Sequence, residues 1–150
     1  MRLEEELKQA RFKDEYQKAM LNVIFTANWL ELAIAHVLKE FDLSSQQYNV
    51  LRILRGSNPR PLNLLDIQER MMDRMSNATR LVEKLRQKGL LTRTQCEENR
   101  RKVEIAITEK GLSLLDTLDP LMSRNHLEIT KKITPDEAAT LNHILDKLRS

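Results

Sequence analysis

Asn99-Arg100-Arg101-Lys102 sets three consecutive cations directly ahead of an alternating apolar run, Val103-Glu104-Ile105-Ala106-Ile107-Thr108. A basic turn at the tip of such a strand can reach the phosphates and the minor groove of a duplex, where a narrow groove concentrates negative potential. Upstream, a segment stopping at Gly89 carries Ser76, Asn77 and Arg80 near its start. Hydroxyl and amide groups can serve several bases, and arginine can take guanine through two hydrogen bonds. Thr79, Lys84 and Arg86 suit phosphates, where they would add affinity and salt dependence without sequence preference. Any amphipathic helix has a solvated polar face, so these residues acquire meaning only from the elements that position them.

Other chemistries find little support. There is no glycine-rich phosphate loop, no nucleophile in a recognisable elbow and no paired carboxylates, so no catalytic residue and no cofactor is expected. His36, His126 and His143 lie far apart without ligand spacing, so no metal is expected either. The single cysteine, Cys96, cannot form an internal disulfide, and a reducing cytoplasm is the expected compartment. Met1 to Leu7 is acidic and amphipathic, unlike a signal peptide. No apolar stretch reads as long enough to span a bilayer, so no membrane partner is expected.

Charge is unevenly spread along the 150 residues. Residues 44–110 hold 14 of the 25 Lys and Arg and 8 of the 22 Asp and Glu, a surplus of six cations, which leaves the rest of the chain acidic by three. A polyanion would bind the middle.

The elements follow from periodicity and caps. Leu3 to about Lys39 reads as one or two helices, with Met20, Ile24, Ala27, Leu30, Ile34 and Leu38 at helical spacing. Ser44 with Gln47 forms a capping box for a short helix expected to end at Gly56, and Asn63 with Asp66 opens another through Ile67 and Met71. From an expected N-cap at Asp73, the residues Ala78, Leu81, Val82 and Leu85 draw a narrow apolar stripe, closed by Gly89 with Arg86 and Lys88 in the last turn. Leu90 to Cys96 and Val103 to Ile107 then pair as strands around a loop at residues 97–101. Leu112, Leu115, Leu118, Leu121 and Met122 resume a helix in which Pro120 predicts a kink or a restart. Thr134-Pro135-Asp136-Glu137 caps a last helix with apolar Ala138, Leu141, Ile144, Leu145 and Leu148.

Two helices, a stop, a strand, a cationic turn and a strand make a winged helix-turn-helix, in which the second helix enters the major groove by its N-terminal residues. The fold class is mainly α with a small two- to three-stranded antiparallel β-wing. Residues 1–40 form an N-terminal dimerisation helix region, 41–111 the DNA-binding lobe and 112–150 the C-terminal dimerisation helices. The flanking helices carry more Leu, Ile and Met than one small lobe covers, so they meet each other or a second chain. A homodimer would set two recognition helices roughly 34–36 Å apart, one turn of double-stranded DNA.

Thr79-Arg80-Leu81-Val82, Leu85, Lys88-Gly89-Leu90-Leu91, Asn99-Arg100-Arg101-Lys102-Val103 and Ile107-Thr108-Glu109-Lys110-Gly111 together resemble the MarR family of bacterial transcriptional regulators over residues 44–111. The resemblance implies a homodimer with interlocked N- and C-terminal helices, binding a pseudo-palindromic operator, usually as a repressor. It makes Arg101 the wing arginine and Arg80 the recognition-helix arginine. Where the family's wing usually has an aspartate two residues before that arginine, this chain has Asn99, a weaker partner because it carries no charge. Many relatives bind a phenolic or other small amphipathic effector between the dimer helices and the lobe; Tyr16, Trp29, His36 and Tyr48 are the candidates here. Some relatives sense peroxide through a cysteine near the N-terminus, and none stands there in this chain. The alternative reading is a winged-helix interaction or architectural module that does not read sequence.

Overall fold

The computed structural model describes residues 1–95 and 103–150, save the side chains of residues 125 and 126. The chain folds as two compact units, Met1–Ser45 and Gln46–Ser150.

The first unit holds α1 (Leu3–Glu6) and α2 (Glu15–Lys39). The Asp14 side chain caps α2 by accepting the Gln17 backbone N–H at 2.8 Å, and Lys18 Nζ meets Glu4 Oε1 at 2.6 Å. That contact, first through its hydrogen bond, holds the Glu4 carboxyl below its ordinary pKa. Of the residues of α2 only Leu38 is buried; Tyr16, Met20, Ile24 and Leu32 are mostly exposed. The expectation that no stretch could span a bilayer is corrected by this helix. By length and composition alone α2 is long and apolar enough to cross a membrane, with a mean hydropathy of 1.4 over its most apolar window. The reason is that between Lys18 and Lys39 its one carboxylate is Glu31, so the polar residues that interrupt it are mainly uncharged.

The second unit runs α3 (Ser45–Ser57), α4 (Leu64–Arg70), α5 (Ala78–Gln87), β1 (Leu91–Gln95), β2 (Val103–Ile107), α6 (Glu109–Thr130) and α7 (Pro135–Leu148). The strands pair antiparallel, Leu91 opposite Ile107 through Gln95 opposite Val103. A third segment joins at one point. Leu62 and Ile105 exchange both backbone hydrogen bonds, at 2.9 and 2.8 Å, which tethers the loop before α4 to the middle of β2. Val50, Leu51 and Leu54 of α3, Ile67 of α4, Val82 and Leu85 of α5, Leu91 and Ile105 of the hairpin, and Leu115 and Leu118 of α6 are all essentially inaccessible. Ile67, Val82, Leu85, Ile105, Leu115 and Leu118 are positions the periodicity marks, whereas of the stripes in α2 and α7 only Leu38 is buried.

Two helix ends differ from the sequence reading. Gly56 does not end α3, which runs on to Ser57, where the Ser57 hydroxyl donates back to the Leu54 carbonyl at 3.0 Å. Pro120 lies inside α6 without a restart. Proline removes the N–H that the Asp116 carbonyl would accept. The turn is held from outside: Leu115 and Leu118 are fully buried, and Arg55 of α3 donates to both carboxylate oxygens of Asp119 at 2.7 and 3.1 Å. That fork is the main cause of a lowered Asp119 pKa and a raised Arg55 pKa.

Candidate nucleic-acid interface

The entry to α5 differs from the expected one. Asp73 is not the N-cap; Asn77 is, its side-chain oxygen accepting the Arg80 N–H at 3.0 Å. Asp73 is occupied four residues earlier, accepting the Met75 N–H at 3.0 Å and the Ser76 hydroxyl at 2.6 Å. The hydroxyl bond is the larger cause of a lowered Asp73 pKa. Asp73 accepts the Met75 N–H as a cap would, but α5 begins only at Ala78, so its bonds close the turn that precedes the helix. The turn is pinned at three further points. Asn49 of α3 accepts the Met72 N–H at 3.0 Å, while Gln68 of α4 donates to the Arg74 carbonyl at 2.7 Å and accepts the Ala78 N–H at 3.3 Å.

Behind this cap α5 presents two faces. Ala78, Val82 and Leu85 are buried. Thr79, Arg80 and Lys84 are exposed. Among the described residues neither Arg80 nor Lys84 pairs with a carboxylate. Arg86 is placed differently from the expectation of a free phosphate ligand. Its Nε and Nη2 donate to the two oxygens of Glu83 at 3.0 and 2.7 Å, so it is held along its own helix and much of its charge is answered there. Ser76 and Asn77 likewise spend one hydrogen bond each on the turn and cap.

The join between α5, the hairpin and α6 explains the run Ile107 to Gly111. Gly89 sits at φ +70°, the left-handed conformation that lets the chain leave α5 and turn into β1. Three successive carbonyls of that turn are then taken by the start of α6. Lys110 Nζ donates to Lys88 O at 2.8 Å, Thr108 Oγ1 to Gly89 O at 2.8 Å and Thr108 N to Leu90 O at 3.2 Å. The Thr108 side chain also caps α6 by accepting the Gly111 N–H at 3.1 Å. A Cβ on Gly111 would lie 2.3 Å from Leu90 O, so only glycine permits this approach.

Wing residues Arg100, Arg101 and Lys102, together with Cys96 and Asn99, lie outside the described residues. Arg93 on β1 is a cation the sequence reading passed over; it is exposed although its cross-strand partner Ile105 is buried. Strict alternation puts Arg93 on the same side as Leu91, so the pattern gave no signal for it. A cleft of about 340 Å³ opens beside it, lined by Glu83, Arg86, Arg93, Thr94, Gln95 and Val103. Of the effector candidates, Tyr16, Trp29 and His36 are exposed on α2. Thirteen residues separate Tyr16 from Trp29, about 20 Å along a helix. One small molecule cannot touch both. Tyr48 is buried on α3, its ring 5.8 Å from the Arg52 guanidinium.

Among solved structures, a MarR transcription factor from Planctomyces limnophilus is 34% identical, with a TM-score of 0.68 over 91% of this chain and 98% of that one. The chain belongs to the MarR family. The MarR family model itself matches residues 43–103, from just before α3 to the first residue of β2. An HTH-type transcriptional regulator of Bacillus subtilis, YfiV, is 31% identical over 101 residues; the chain spans 60% of that regulator's length, and the match takes in 65% of this chain. The fold is also that of Bordetella bronchiseptica BpsR, whose DNA binding is regulated by 6-hydroxynicotinic acid, at 20% identity and a TM-score of 0.72 over 86% of this chain and 91% of that one. MarR-family proteins are DNA-binding transcriptional regulators and not enzymes. The winged helix-turn-helix read from the residues is the fold observed.

Proposed function

We propose that this chain is a homodimeric, cytoplasmic repressor that reads a pseudo-palindromic operator in double-stranded DNA and releases it on binding a small amphipathic effector. The observation that carries the DNA-reading part is the state of Arg80 and Lys84. They stand exposed at i and i+4, on one face of a helix whose opposite face is locked into the core, and neither is answered by a described carboxylate. Arg80 is the base-reading side chain, with Ser76 and Asn77 beside it; Thr79 and Lys84 hold phosphates, and Arg86 contributes mainly by holding Glu83. The wing cations Arg100, Arg101 and Lys102 are assigned from the basic run they form in the sequence, and Arg101 also by family position.

Dimerisation is supported by apolar faces left uncovered in each unit. In α7 no residue is buried, and Leu141, Ile144 and Leu148 are about half exposed or more. In α2 the same is true of Tyr16, Met20, Ile24 and Leu32. A dimer gives these faces a partner, and Asn22, Thr26, Asn28, Glu31 and His36 along α2 argue against lipid as the alternative, since each is costly in hydrocarbon. The likeness to the Planctomyces factor points the same way. The 9% of the chain it leaves out is shorter than the 25-residue α2, so at least part of α2 belongs to the shared fold. For the effector, the exposed pair Trp29 and His36 on α2 is the best-supported contact, suited to a small aromatic acid of the kind that acts on the Bordetella relative.

The test is selection of bound duplexes from random DNA at stated salt, with sedimentation of the free and bound protein without detergent. A two-fold-symmetric consensus bound by two chains is expected. Binding without a consensus would overturn operator reading in favour of an architectural role, and a monomer at working concentration would overturn the dimer.

A further inference from the structure

Of the methionines closing α4 and leading into α5, Met71 enters the core at 3% exposure while Met72 and Met75 stand 91% and 94% exposed. Full exposure of two long apolar side chains within four residues is unusual beside so complete a core, and it does not come from a loose segment. The backbone that carries them is the pinned turn ahead of α5: Asn49 takes the Met72 N–H, Asp73 takes the Met75 N–H, and Gln68 takes the carbonyl between them. The fold therefore holds these two side chains outward. They flank the exposed Arg74 and lie two and five residues ahead of the Asn77 cap.

We propose that Met72 and Met75 read thymine, seating their thioether side chains against C5-methyl groups in the major groove. The inference rests on the operator-reading role of α5. The N-terminal end of a recognition helix is the part that enters the groove, and thymine is the base whose edge there offers an apolar group. Of the exposed polar side chains of this helix, only Thr79 carries a methyl group that could meet it. A flexible, polarizable thioether fits such a contact without demanding one geometry. Two charges stand between the methionines: the Asp73 carboxylate is taken up by the Met75 N–H and the Ser76 hydroxyl, while Arg74 makes no ion pair among the described residues. That cation favours the polyanion as the occupant, because it would meet phosphate on DNA and would have to be desolvated against an apolar partner.

The experiment replaces each thymine of the selected operator in turn by deoxyuridine, which lacks only the methyl group, and measures affinity for wild type, Met72→Ala/Met75→Ala and Met72→Leu/Met75→Leu. Both positions are exposed, so the variants should fold as wild type does, which a thermal melt checks. In wild type, particular thymines should each lose about fourfold on demethylation, the equivalent of ~0.8 kcal/mol for one buried methyl group. The alanine pair should bind more weakly and show no loss at those thymines, whereas the leucine pair should keep it. An equal loss in wild type and the alanine pair, no loss in either, or a consensus without thymine would overturn the proposal while leaving operator reading intact. Absence of any consensus for wild type would instead defeat both.

Discussion

Alanine in place of glycine should have opposite signs at two helical positions of this chain, for reasons visible at each. Gly111 is in the first turn of α6, where helix propensity favours alanine by up to about 1 kcal/mol. Its new Cβ, however, would sit 2.3 Å from Leu90 O and 2.7 Å from Ile107 Cγ1. Leu90 O is backbone, and it already accepts the Thr108 N–H at 3.2 Å, so it cannot swing aside. The start of α6 and the α5–β1 turn must separate by about 1 Å to restore ordinary contact, at a typical overpacking cost of about 1–3 kcal/mol. Propensity is the smaller effect, and the net is a loss of about 1–2 kcal/mol, or about 3–6 °C in Tm for a chain of this size. Gly56 is the control. It lies in the last turn of α3 with no atom within 4 Å of the place an alanine Cβ would take, so Gly56→Ala should stabilise by about 0.5–1 kcal/mol. Urea unfolding of both variants at one protomer concentration, with unchanged m, measures the difference. Equal or greater stability of Gly111→Ala would refute the close-approach reasoning.

Arg80→Ala should cost about 1–3 kcal/mol on the selected operator and relax preference at one base position. Lys84→Ala should instead weaken all duplexes alike and make the salt slope shallower by about 0.9 per protomer; an altered base preference at constant slope would contradict that role. Asn77→Ala should lose the α5 cap, about 1 kcal/mol of stability, whereas Asn77→Ser should keep it. Serine binding DNA with altered preference at unchanged stability would assign Asn77 to the bases as well as the cap. The Arg55 fork holds the folded Asp119 carboxyl below its ordinary value, so the stability it contributes is complete above about pH 4, the unfolded range, and is lost as pH falls through the folded value. After solvent screening that is at most about 1 kcal/mol. Asp119→Asn should therefore flatten stability against pH on the acid side, and an unchanged slope measured by urea titration would remove the pair from the account.

Periodicity carried the apolar side of this fold well, because burial repeats with the helix and strand period whatever the loops do. Ala78, Leu81, Val82 and Leu85 are legible as one stripe, and all but the half-buried Leu81 are buried in the core. Gly89 was legible as a stop because a left-handed residue has few other occupants. Competition among polar groups was not legible. Asp73 and Asn77 are both good caps by type and both accept a local backbone N–H; the Gln68 bond to the Ala78 N–H, ten residues apart at the observed helix start, exists only once α4 and α5 are in place. Arg86 is a different case: Glu83 stands three residues before it on the same helix, a spacing the sequence displays, and the structure closes that pair. Pro120 reads as a break until Arg55, sixty-four residues from Asp119, is seen to brace the preceding turn.

The three bonds from Thr108 and Lys110 to the carbonyls of residues 88–90 have a mechanical consequence for the DNA-reading surface. They join the C-terminal end of α5 directly to the N-terminal end of α6, with no intervening flexible side chain apart from Lys110. At the opposite end of α5 the side chains of Asn49 and Gln68 hold the turn to α3 and α4. The recognition helix is therefore fixed at both ends, to different elements, and it cannot tilt unless one set of bonds moves with it. A displacement of α6 pulls on the Gly89 end and leaves the Asn77 end seated, which rotates α5 about its base-reading turn. Such a rotation would carry Lys84 farther than Arg80, because Lys84 lies nearer the driven end. An effector acting through α6 should accordingly reduce the salt-dependent, phosphate-borne part of affinity before it alters base preference. Operator titrations across salt, with and without effector, would show a shallower slope and an unchanged consensus; a changed consensus at constant slope would place the pivot at the other end.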